Sequence, residues 1–90
     1  MTSILEQCTL VRNLLHSKGF ETTHTLSENS VGDVTSFSIS WYDLNEYKLH
    51  GYFFGMGGRY DFGVTPLTFD SFDTASACFS DYLDMVVRYS

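Results

Sequence analysis

The segment Ser36-Phe-Ser-Ile-Ser-Trp41 alternates small polar and large apolar residues without a break. A strand turns successive side chains to opposite faces, so this period of two makes one apolar face from Phe37, Ile39 and Trp41 and one serine face. The rest of the chain is expected to pair with this strand and to cover its apolar face, leaving the other face open unless one helix or the 66–70 segment folds across it.

The pairing partner follows in sequence. Gly57-Gly58 accepts the positive φ angles of a two-residue hairpin turn, and residues 47–56 and 59–65 flank it. Such a turn pairs Met56 with Arg59, Gly55 with Tyr60, Phe53 with Phe62 and Gly51 with Val64, and Leu49 shares the apolar face. Phe54 then lies opposite Asp61, Tyr52 opposite Gly63 and His50 opposite Thr65 on the other face. Phe37, Ile39 and Trp41 join the apolar face only if the preceding turn has an odd number of residues, which Leu44-Asn45-Glu46 satisfies; a slip of one would turn Trp41 outwards. Gly51 and Gly55 are expected where a helix approaches the sheet closely. Pro66 has no N–H to donate and ends the pairing.

The cover comes from the two ends. Ser3-Ile-Leu-Glu6 has the form of a capping box, and Ile4, Leu5, Cys8, Val11, Leu14 and Leu15 follow at helical spacing. Gly19 supplies a left-handed stop, so the first helix is predicted over about 3–18. Phe20 to Leu26 reads as a short β-branched strand and residues 27–33 as a turn. Asp70 or Ser71 can cap a last helix over about 71–88, with Phe72, Ala75, Phe79, Leu83 and Val86 as its apolar stripe and Tyr82 beside it. The order is α-β-β-β-β-α: an α+β fold in a single domain, 1–90, with an antiparallel sheet and both terminal helices packed on one face.

The catalytic motifs that the sequence brushes against do not hold. A dinucleotide fingerprint would need glycine at 55, 57 and 60, but position 60 is tyrosine, and no P-loop lysine follows. These glycines join two strands, whereas both phosphate motifs join a strand to a helix N-terminus. Asp61-Phe62-Gly63 has none of the other kinase elements around it. His16, His24 and His50 stand far apart, and a metal site needs three or four ligands; no cofactor or metal is expected. Cys8 and Cys78 lack metal or redox spacing and read as two small buried hydrophobes. Asp81 and Asp84 share one side of the last helix at i, i+3, but acid–base work requires a pocket. The expectation is a protein that is not an enzyme.

Eleven acidic residues against five basic ones give a net charge of −6, with the five bases scattered singly. That is the reverse of the footprint of a nucleic-acid binder, and equally unsuited to an anionic membrane. No run approaches the roughly 18 apolar residues of a membrane span, and no signal peptide pattern opens the chain, so the protein is read as cytoplasmic.

Two surfaces remain as candidate sites. One is an acidic ridge of Asp70, Asp73, Asp81 and Asp84 on the last helix, suited to a partner protein with a basic surface. The other is the second sheet face, bearing Tyr42, His50, Tyr52, Phe54 and Met56, residue types enriched in interfaces, which could hold a partner or make a homodimer. In size, acidity, α+β order and lack of a catalytic constellation the chain resembles the small acidic proteins of phages and mobile elements. These include anti-CRISPR and anti-restriction inhibitors and some toxin-neutralising immunity proteins. The resemblance implies a non-enzymatic inhibitor that blocks the basic groove of a nucleic-acid-handling host defence complex. An immunity protein or antitoxin directed at one toxin, and a domain that self-associates through its aromatic sheet face, are the alternatives.

Overall fold

The computed structural model describes residues 3–43, 48–63 and 68–89. Helix α1 (Ile4–Ser17) leads into four strands, β1 (Phe20–Glu28), β2 (Val34–Asp43), β3 (Leu49–Met56) and β4 (Arg59–Asp61), and the chain ends in α2 (Phe72–Tyr89). The strands form one antiparallel sheet in the order β1-β2-β3-β4. The α+β architecture and its element order are those expected, with β1 two residues longer.

Local chemistry accounts for each boundary. The Glu6 N–H donates to Ser3 Oγ (3.1 Å) and the Ser3 hydroxyl to Glu6 Oε1 (3.3 Å), which caps the start of α1. Gly19 stops that helix at φ +91°. Between β1 and β2, Asn29 Oδ1 accepts from the Val31 and Asp33 N–H groups, both at 3.0 Å, and ties the turn. The Thr74 N–H reaches Ser71 Oγ at 3.5 Å at the start of α2.

The hairpin register is as predicted for Met56 with Arg59, Gly55 with Tyr60 and Phe54 with Asp61. But β4 ends at Asp61, short of the expected 59–65, so the predicted pairs of Phe53 with Phe62 and Tyr52 with Gly63 lie beyond its ladder. The predicted pairs of His50 with Thr65 and Gly51 with Val64, and the break at Pro66, lie outside the described residues. So does the Leu44-Asn45-Glu46 turn, although its flanks show how the β2–β3 register is reached. Trp41 pairs with Gly51, Ile39 with Phe53 and Phe37 with Gly55, two residues on from the expected register. A β-bulge then intervenes, so that Tyr42 pairs with Leu49 and the Asp43 N–H donates to the Lys48 carbonyl (2.9 Å). The bulge absorbs one residue and so restores the parity that keeps Trp41 inward.

The core lies between the sheet and the two helices, with α1 across β1 and β2 and α2 against β4. Trp41, Phe37, Phe53, Ile39, Leu15, Leu83 and Phe79 are its largest fully buried side chains. Phe79 is the hub. Its ring meets Trp41 (5.9 Å between centroids), Phe53 (5.0 Å) and Phe62 (5.1 Å). Edge and tilted contacts of this kind add about 0.5–1.5 kcal/mol each beyond area burial. Gly55 has a different reason from the one expected. A Cβ there would sit 2.5 Å from Phe37 Cε1 and 3.0 Å from Tyr60 Cδ1, so the space above it is filled by rings of neighbouring strands rather than by a helix.

Candidate functional site

All four acids of the predicted ridge are exposed. Asp73, Asp81 and Asp84 fall within about 80° of one another around α2, given 100° per residue, and Asp70 precedes the helix. Their surroundings differ. Asp84 is bonded to the Lys18 ammonium at the end of α1, an ion pair that ties the two helices together. Arg88, also exposed, lies between Asp81 and Asp84 around the helix. The negative character of the ridge is therefore concentrated in Asp70 and Asp73 at the N-terminal end, with Asp81 at mid-helix.

That end borders a cleft of about 530 Å³, lined by Gln7, Gly58, Tyr60, Asp70, Ser71, Phe72 and Asp73. Three elements meet there: the start of α1, the tip of the β3–β4 hairpin and the start of α2. Its lining is mixed, with the Phe72 and Tyr60 rings beside one buried polar pair. The Tyr60 hydroxyl donates to Gln7 Oε1 at 2.8 Å, and Gln7 is 5% exposed. Asp70 and Asp73 thus stand at the edge of a concavity whose wall is held by that buried bond. Sequence reasoning missed the cleft because Gln7 and Tyr60 are 53 residues apart and neither belongs to a recognisable motif.

The second sheet face has no helix on it, since both helices pack on the Trp41 side. Tyr52 (44%) and Met56 (50%) are exposed there, with Phe54 and Tyr42 half-buried. Cross-strand pairing sets Met56 beside Ser36, Phe54 beside Ser38 and Tyr52 beside Ser40, so each large side chain of β3 stands next to a serine of β2. His50 does not belong to this group. The bulge turns it inward, where its ring stacks on Trp41 (5.1 Å, 7°) and meets the edge of Phe20 (5.3 Å), with Nε2 3.6 Å from Asp43 Oδ2. Leu49 takes the outer place that His50 was expected to hold: it pairs with Tyr42 and is exposed.

The three histidines and the cysteines do not converge. Among the described residues no group of three His, Cys, Asp or Glu side chains is placed to hold a metal ion. His16 is engaged with the Thr22 hydroxyl at 3.0 Å. Both cysteines are free. Cys8 is buried as expected, and burial pushes its thiol pKa up against the opposing pull of Arg12. Cys78 is exposed, contrary to expectation, because it precedes Phe79 by one position and so lies about 100° away from the centre of the buried Ala75/Phe79/Leu83 stripe. No described helix is long and apolar enough to cross a membrane. The chain matches no protein-family model, no curated protein and no solved structure.

Proposed function

We propose that this chain is a non-enzymatic binding protein that docks the N-terminal end of α2 on a basic protein surface. The supporting observation is the cleft flanked by Asp70 and Asp73, with Asp81 farther along the same side of the helix. Carboxylates at the lip suit an arginine or lysine side chain of the partner, which offers several N–H donors and no acceptor. Neighbouring acids spaced along a helix also offer the partner a row of negative charge of the kind a nucleic-acid backbone presents. In its specific form the proposal is an inhibitor of the anti-CRISPR or anti-restriction type, occupying a basic groove of a nucleic-acid-handling complex. Complementary charge would speed association and make it salt-sensitive.

A second reading, an immunity protein or antitoxin held through the outer sheet face, is favoured by one observation: Tyr52 and Met56 are exposed on a face that neither helix covers. Capture from host lysate at low and at high salt, with mass spectrometry of the retained proteins, separates the two. The acidic-docking reading predicts a basic partner that salt releases, because exposed charges are screened. A partner retained unchanged at high salt and lost on Tyr52→Ser/Phe54→Ser supports the second.

A further inference from the structure

We propose that β1 is a self-pairing edge: two copies of this chain join antiparallel along it, about a two-fold axis at His24, into one continuous eight-stranded sheet. The inference begins from the unequal edges of the sheet. β4 has only three residues, and its outer side is met by Phe69, which exchanges two backbone hydrogen bonds of 2.8 Å with Tyr60. β1 has nine residues, and no described element pairs with its outer side. A strand edge of that length presents a row of unpaired N–H and C=O groups, which proteins usually blunt with lysine, proline, a central bulge or an inward charge. The Phe20–Glu28 strand has no lysine and no proline; its irregularity falls at its very end, between Ser27 and Glu28.

Charge and parity select a second copy as the occupant. The chain carries −6, yet the carboxylates of β1 stand only at Glu21 and Glu28, leaving Thr22 to Ser27 free of acid. In an antiparallel pair opposite residues share a face, so a two-fold axis joins only positions whose numbers have the same parity. Glu21 and Glu28 differ in parity and can never face each other. Overlap of all nine residues places the axis at His24. Thr23 then faces Thr25 of the second copy, twice, on the open sheet face, and Glu21 faces Ser27, Thr22 faces Leu26 and Phe20 faces Glu28. Opposed threonines are a favourable cross-strand pair, no carboxylates oppose, and the one titratable residue that faces its own copy is His24. A foreign strand would have no such guarantee against these two acids.

The register can be read by cross-linking. In a Cys8→Ala/Cys78→Ser background, His24→Cys should form a disulfide dimer on mild oxidation, because opposed Cα atoms about 4.5–5.5 Å apart lie within disulfide reach. Thr22→Cys and Leu26→Cys should not, since each would lie four residues, about 13 Å, from its own copy. Analytical ultracentrifugation of the unmodified chain should show a dimer, and Thr23→Lys/Thr25→Lys should raise its dissociation constant at least tenfold, with the circular dichroism spectrum unchanged. A chain that sediments as a monomer at its highest soluble concentration overturns the proposal. So does a His24→Cys protein that cross-links no better than Thr22→Cys, and so does a dimer that survives the two lysines and cross-links instead through Tyr52→Cys or Phe54→Cys on the sheet face.

Discussion

Phe53 and Phe54 are neighbours in one strand, and they have opposite lives. Phe53 is fully buried between Phe37, Phe62 and Phe79, whereas Phe54 stands half-buried beside Ser38 on a face that no helix covers. The same contrast runs through β2, where Trp41 is 1% exposed and Ser40 and Tyr42 line the open side. One face of the sheet carries the core of the fold; the other face and the outer side of α2 are left exposed. The lesson is that period-two patterning decides not only where the core lies but which surface remains available.

The contrast breaks most visibly by substitution at the two phenylalanines. Phe53→Ala should cost about 3–5 kcal/mol, the usual range for a buried phenylalanine, and leave little folded protein on a urea curve. Phe54→Ala should cost about 1 kcal/mol or less, as surface changes do. Equal costs would mean that both faces are covered. Gly55→Ala tests the inner face in the other direction. The added methyl must displace the Phe37 ring, and a loss of about 1–3 kcal/mol is expected, typical of an overpacked core.

A smaller effect separates the inner and outer sides of the helices. Cys78 should react with a thiol reagent in the native protein as fast as a free thiol, and Cys8 only as fast as the protein opens. The raised thiol pKa of Cys8 also fixes the sign of an alkaline effect. The folded state favours the protonated thiol, so its contribution is fully present below the unfolded value near about 8.5 and is lost as pH rises above it. Cys8→Ala should remove that part of the decline in stability at high pH.

How much of this could be read from residues alone follows from the range of each interaction. The Phe37/Ile39/Trp41 alternation and the Gly57-Gly58 turn are local, and from them come the sheet, the hairpin register and the burial of Trp41. The capping signals of Ser3 and Gly19 are local too. The bulge that exchanges the places of Leu49 and His50 is a property of how two strands meet, and neither residue type announces it. The Lys18–Asp84 bond, which removes one acid from the free ridge, joins residues 66 apart. The Gln7–Tyr60 cleft likewise exists only after α1, the hairpin and α2 have come together.

Charge reversal within the ridge tests the proposed contact of the N-terminal part of α2 with a basic partner. Asp73→Lys/Asp81→Lys and a control outside both the ridge and β1, Asp33→Lys/Glu46→Lys, each change the net charge by four, from −6 to −2. Exposed ion pairs are individually worth about 0–1 kcal/mol, so the pair of reversals on α2 should weaken partner capture about fivefold to tenfold at low salt. The control should lose about twofold or less, and the difference should shrink at high salt. Equal losses in both variants, or no loss in the Asp73/Asp81 variant, would contradict the account and move the contact to the open face around Tyr52 and Phe54.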